Sequence, residues 1–349
     1  MISFFALASS AALFTIPTQS DREMIADAHS IIREYGDQVW DGFSQAPLPI
    51  LLIEEDHETL FCGVPIDGFV SAGFDTITKC SMQFRPRELP TDLSAATDLG
   101  EHQVIMMGTS STLEMTRAEW VVIVLHEAFH QYQSMSPAYS DATDRLRLEF
   151  EGGNDQDVRW MLDYPFPYAD AQVRAIFAEM TGSALRFLDA SSEQQKLAAI
   201  EDYLTAREKA EEIVEQKNWA YYEFQAGQEG VARWSEIRLA AAAGSADPDL
   251  AAVAEETRLG LATSLRAIDR DGLHMWTRSA FYVLGAVEAE MLEQTEPAWR
   301  REYPRRPFEL GAMLNTALAE QFKTTGIYGL LEPLVCKKQT VRFPPQCRP

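Results

Sequence analysis

Three neighbouring side chains carry the clearest chemistry in this chain: His126, Glu127 and His130, within VVIVLHEAFHQYQ (Val121–Gln133). On an α-helix, side chains four residues apart lie one above the other on the same face. His126 and His130 then project together, with two imidazole nitrogens able to share one cation. Glu127, beside the first histidine, can reach a water on that cation.

The elements that must hold these groups are legible around them. The apolar run Val121–Leu125 alone reads equally well as a buried strand. Thr116 and Glu119, however, form a Thr-x-x-Glu capping box at the entrance of the segment, and Pro137 stands just beyond its end. Cap, length and stop predict a helix, and its apolar character nearly all round predicts burial. Two histidines do not hold a catalytic zinc: a third protein ligand is needed, with one position left open. The only histidine further down the chain is His274, and QYQSMS directly after His130 holds no suitable group. A glutamate from another helix is the natural third ligand. Glu149 in LEFEGGN, Glu179 in IFAEMTGSAL and Glu229 in QEGVARWSE are the candidates.

HEAFH together with EGVARW resembles the gluzincin zinc metallopeptidases, the thermolysin-related and aminopeptidase N-like enzymes, in the manner of a divergent bacterial-type member. In that family an E-G-x-A-x-aromatic segment supplies the third ligand, and its glycine and alanine let two helices pack closely around the metal. The resemblance therefore points to Glu229, joined to His126 and His130 around Zn2+. The family's best-known members keep this glutamate much nearer the second histidine, a spacing that Glu149 meets, so Glu149 and Glu179 stay beside Glu229. The resemblance also implies a zincin-like fold and hydrolysis of peptide bonds in a peptide or protein substrate. Zinc would activate a water and polarise the scissile carbonyl. Glu127 would take the water's proton as general base and pass it to the leaving amine. The oxyanion donor in gluzincins is a downstream Tyr or His. Here HMWTRSAFY offers His274, Arg278 and Tyr282, and Tyr282 is the preferred donor. Two other readings suit the same residues: a zinc hydrolase of a non-peptide substrate, and a non-catalytic binding protein on a metallopeptidase scaffold.

Around the motif, Asp21–Phe43 has helical periodicity. Leu48–Ile53, parts of Phe61–Phe84, and Gln103–Ser110 read as strands. The strand Gln103–Ser110 is a candidate for adding an extended peptide along an edge. From Thr116 onward the chain reads as helix: Ala169–Leu188, Ser192–Ala243 with a break near Lys217–Asn218, Asp249–Ile268 and Trp276–Gln294. Loops are expected at Glu151–Asp157 and Tyr164–Tyr168. The expected class is α+β and mostly helical. One domain would cover residues 21–349, with a helix and small sheet in 21–115 and a helical part in 116–349.

The 349 residues carry a formal charge of −23, which disfavours phosphate backbones and anionic lipid, so no nucleic-acid partner is expected. The apolar stretch Ile2–Ile16 has the length of a signal-peptide core rather than of a membrane span. Thr18 and Ser20 stand as the small residues before a cleavage at Asp21, although no Lys or Arg precedes the apolar stretch. Removal of residues 1–20 would leave a secreted or periplasmic protein without stable membrane insertion. The four cysteines fall into two local pairs, Cys62 with Cys80 and Cys336 with Cys347. In an oxidising compartment each pair would staple a loop-rich segment, although four cysteines allow three connectivities.

Overall fold

The computed structural model of the chain describes residues 14–151 and 159–325. The expected pair Cys336–Cys347 and most of the apolar N-terminal stretch lie outside the described residues. Helix α1 (Gln19–Val39) begins at Thr18, whose Oγ1 accepts from the Asp21 backbone N–H at 3.2 Å. Thr18 and Ser20 thus serve as cap and first turn of a helix.

Six strands follow among the described residues: β1 (Ile50–Ile53), β2 (His57–Phe61), β3 (Val70–Asp75), β4 (Cys80–Pro86), β5 (Ser94–Leu99) and β6 (His102–Gly108). They make one sheet in the order β3-β4-β2-β1-β6-β5. β1 and β6 run parallel, and every other neighbouring pair is antiparallel. Alternation sorts the side chains. Ile50, Leu52, Ile105 and Met107 join the main core with the helices, while Leu51, Ile53, Val104 and Met106 build a small core on the other face. The disulfide Cys62–Cys80 ties the end of β2 to the start of β4.

One expectation needs correcting here. Gln103–Ser110 covers most of β6, but β6 is paired on both sides, with β1 and with β5, and is not an edge strand. The edge on that side of the sheet belongs to β5. Its sequence, SAATDL, is small and polar with little alternation, so its strand character was not apparent.

The helical part comprises α2 (Arg117–Ser134), α3 (Pro137–Glu151), α4 (Arg159–Asp163), α5 (Ala171–Asp189), α6 (Glu193–Ile213) and α7 (Gln216–Gln225). After a π turn at Ala226–Gly230 come α8 (Val231–Ala243), α9 (Pro248–Asp271), α10 (Leu273–Trp276), α11 (Ser279–Thr295), α12 (Trp299–Glu302) and α13 (Leu310–Thr325). The expected capping box is present: Thr116 Oγ1 accepts from Glu119 N, and Glu119 Oε2 accepts from Thr116 N. The break expected near Lys217 falls instead at Val214–Glu215. Pro137, read as a stop, opens α3, because proline in a first helical turn forfeits no hydrogen bond. The molecule is mixed α+β, about 64% helical, with its sheet at the N-terminal end. No helix among the described residues is long and apolar enough to cross a membrane.

An aromatic layer locks α1, α2 and α8 together. The Trp40 ring lies 5.2 Å from Phe129, 5.3 Å from Trp299 and 5.2 Å from Tyr303, and its Nε1 donates to Ser235 Oγ at 2.8 Å. Each such ring pair contributes about 0.5–1.5 kcal/mol beyond the area it buries. Trp120 Nε1 donates to the Gly108 carbonyl at 2.8 Å, pinning the start of α2 to the end of β6. The helix bearing the two histidines is therefore fixed against sheet and bundle alike.

Candidate metal centre

His126 and His130 stand one turn apart on α2, each with its side chain only slightly exposed. Their Nε2 atoms lie 3.2 Å apart. Glu229 Oε2 sits 3.4 Å from His126 Nε2 and 3.6 Å from His130 Nε2. Among the described residues, this is the one group of three His, Cys, Asp or Glu side chains whose ligand atoms converge.

The outer nitrogens are already committed. His126 Nδ1 meets Glu236 Oε2 at 2.6 Å, and Glu236, buried, also takes Arg233 Nη1 at 3.3 Å. His130 Nδ1 meets Gln133 Oε1 at 2.7 Å. Gln133 spends its amide hydrogens on Tyr303 Oη at 2.6 Å and the Gln228 carbonyl at 3.0 Å, so its Oε1 must be the acceptor and His130 Nδ1 the donor. A carboxylate on His126 Nδ1 fixes that tautomer in the same way. In the neutral imidazoles both Nε2 atoms then carry lone pairs on the side of Glu229, where a cation or a proton can be shared. Two imidazole nitrogens and one carboxylate oxygen, oriented by carboxylate and amide behind them, form a donor set that suits zinc.

Glu229 reaches this position through the π turn. Such a turn widens the helix, and its loosened carbonyls need other donors. Tyr303 donates to Gly227 O at 2.7 Å and Gln133 to Gln228 O, so the groups that orient His130 also hold the turn carrying Glu229. Against the turn's other side packs α11. A Cβ on Gly230 would strike the backbone of Gly285, and one on Gly285 would strike Ala226. This close approach is why both positions are glycine.

The site attracts positive charge. Burial lowers the basicity of His126, but hydrogen bonds to Glu229 and Glu236 outweigh it, and the imidazole is pushed up to about 10. His130 is likewise raised against its burial, chiefly by the Glu229 charge. Burial acts to raise Glu229, yet the two histidines hold its carboxyl far below the usual range.

Glu127 turns the other way. Its buried carboxylate accepts from Ala96 N on β5 at 2.7 Å, placing it at the sheet edge beside the histidines. Tyr282 accepts from Arg278 Nε at 3.1 Å, one helical turn away. Burial, then the nearby Glu229 charge, pushes the Tyr282 hydroxyl well above its ordinary value, so it stays a proton donor. Tyr139 on α3 is raised by the same two causes. The remaining candidates stand apart from the group. Glu179 pairs with Lys209 Nζ at 3.3 Å, Glu149 is exposed on α3, and His274 is exposed on α10.

Gln133, Glu236 and Tyr139 were not singled out from sequence. Two of them carried a signal, since Gln133 stands three residues after His130 and Glu236 seven after Glu229, each on its ligand's face. Tyr139, two residues after Pro137, had none. Comparison of the chain with family models, with curated proteins and with solved structures finds no match to any of the three.

Proposed function

We propose that this chain is a zinc-dependent peptidase of gluzincin type, with a zincin-like arrangement of edge strand and histidine-bearing helix. The observation that carries the reading is the convergence of His126 Nε2, His130 Nε2 and the Glu229 carboxylate, with both Nδ1 atoms held from behind. Zinc, when bound by these three residues, supplies Lewis acidity to the attacked carbonyl and its water. Glu127 acts as general base: it accepts the proton of the attacking water and returns it to the leaving amine. Tyr282, kept protonated by burial and by Glu229, donates to the oxygen on which charge develops.

The substrate class follows from the strand beside the base. β5 is one of the sheet's two edges, and an extended peptide can pair along such an edge through its own backbone. The Ala96 N–H on that strand holds Glu127, so a peptide lying there brings its bonds near the base. The Cys62–Cys80 disulfide supports an oxidising compartment, and we place the protein in the secreted or periplasmic space.

The test pairs metal analysis with a peptide-library cleavage screen on wild type and Glu127→Gln. Wild type should carry about one zinc per chain and cleave peptides. Glu127→Gln should keep the zinc while the rate falls by about 10²–10⁴-fold. Zinc without peptide cleavage in the wild type would turn the assignment to another hydrolysis or to binding alone.

A further inference from the structure

A cavity of about 520 Å³ is bounded by α2, α8, α9, α10 and α11. Two of its lining residues connect it to the metal group. Arg233 is the partner of Glu236, which orients His126, and Tyr282 is the hydroxyl that feels the Glu229 charge. A side chain in this cavity would therefore belong to a residue next to the bond under attack.

Gly260, in the interior of α9, lines the cavity. A glycine in a helix interior is unfavourable against alanine, and close backbone packing commonly explains it, as at Gly230. Gly260 has no such reason, because no atom lies within 4 Å of where its Cβ would stand. The missing side chain leaves room. Leu261, Trp276 and Val283 give apolar walls to that room, while Glu119 and Glu256 stand exposed on its lining. The Arg233 charge is balanced by Glu236, and Glu119 is engaged in capping α2. Glu256 makes no ion pair among the described residues. The lining thus offers apolar surface for a long stem and one uncommitted carboxylate for its head.

We propose that this cavity selects the substrate, taking a lysine or arginine whose methylenes lie over Gly260 and whose cation meets Glu256. The inference rests on the peptidase reading above. The formal charge of −23 acts in the same direction, since it draws cationic peptides toward the protein.

The experiment uses the full zinc-loaded chain and fluorogenic peptides varied at each position around the cleaved bond. Wild type should favour Lys and Arg over Ala at one position. Gly260→Leu fills the cavity and should cut that preference by about 10-fold or more, the scale on which a filled pocket rejects a side chain. Glu256→Gln should cut it by about 2–5-fold, in a salt-dependent way, as for an exposed ion pair. A second readout needs no turnover. On the Glu127→Gln background, a lysine peptide should bind about 10-fold more tightly than its alanine counterpart, and Gly260→Leu should erase the difference. Peptides cleaved with no basic preference, or a preference untouched by both variants, would overturn the pocket and leave the peptidase standing. A bulky apolar preference lost in Gly260→Leu would overturn the basic class. No peptide cleavage by the wild type at all would remove both readings.

Discussion

The helical half of the molecule buries two clusters of ionisable side chains, and they are built on opposite plans. At the metal group, two imidazole nitrogens of His126 and His130 and a carboxylate oxygen of Glu229 converge at 3.2–3.6 Å. Their hydrogens have been drawn off to the rear by Glu236 and Gln133. In the second cluster the donors point inward. Glu288 Oε1, fully buried on α11, accepts from Tyr203 and Tyr222 at 2.6 Å each and from Arg207 Nε at 3.1 Å. Arg207 also donates to Glu223 at 2.6 Å and lies over the rings of Trp219 and Tyr222. The second cluster is supplied with three donors at Glu288 Oε1, while Glu288 Oε2 takes no partner. The first brings two imidazole nitrogens and a carboxylate oxygen to one point, where they can share a cation or a proton. Burial and charge are common to both clusters. The supply of donors separates them.

The comparison breaks most visibly at the ligands themselves. His126→Ala or His130→Ala should abolish zinc binding, since each removes one of three protein ligands. Glu229→Gln, which replaces an anionic ligand by a weak neutral one, should loosen or lose the metal. Glu179→Gln, at an exposed carboxylate paired with Lys209, should keep it. Stoichiometric zinc retained in both histidine variants would end the assignment of the first cluster.

The second cluster should fail in another way. Arg207→Met leaves Glu288 and Glu223 buried without their cation, and breaking a buried pair from one side costs about 3–5 kcal/mol. Chemical denaturation should register that loss, while zinc stoichiometry in the folded fraction stays at the wild-type value. Zinc lost in Arg207→Met without a loss of stability would mean that the two clusters are one unit.

How much of this could be read beforehand depended on whether a feature was local. The helix α2 was legible because its signals, the capping box and a continuous apolar run, lie within the segment itself. His126, Glu127 and His130 came with it. Glu229 needed a pattern from a family, because its approach to α2 depends on a π turn and on the contact between Gly230 and Gly285, which are far apart in sequence. The edge strand β5 was missed because SAATDL has no alternation to read, and β6 was misplaced as an edge because strand order is a property of pairing. The Glu288 cluster was invisible for the same reason. Tyr203, Arg207, Tyr222 and Glu288 read as ordinary helix residues until three helices bring them together.

The comparison sharpens one shell out from the ligands. Glu236→Ala frees His126 Nδ1 and removes a buried negative charge, and Gln133→Ala does the same for His130 without a charge change. Loss of such outer partners commonly costs about 10–100-fold in metal affinity. Competition with a chelator should place Glu236→Ala toward the upper end. Gln133→Ala should also loosen the π turn, because its amide serves the Gln228 carbonyl. Equal zinc affinity in both variants and wild type would show that the rear hydrogen bonds do not orient the rings.

Glu54, at the turn between β1 and β2, is an intermediate case and gives the smallest effect. It has one donor and no cation committed to it: Thr59 Oγ1 donates at 3.3 Å, while His57 Nε2 at 2.8 Å makes no hydrogen bond. Burial, with Asp21 adding repulsion, raises its carboxyl to about 7 against the Thr59 hydrogen bond. A carboxyl raised in the folded state makes the opposite contribution to a salt-bridged one. Below its unfolded value it is protonated in both states and costs nothing. As pH rises through that value toward 7 the unfolded chain ionises first, so stability is drained, and above 7 the folded protein carries a charge that its surroundings disfavour. Glu54→Gln keeps an acceptor for Thr59 and removes the charge. Thermal unfolding should therefore be unchanged at pH 4 and higher by about 1–2 °C above pH 7.5, a shift on the scale of a fraction of a kcal/mol in a chain this long. Zinc content should not differ at either pH. A gain of equal size at both pH values would trace the effect to packing, and a loss of stability above pH 7.5 would mean that Glu54 is held ionised by a partner after all.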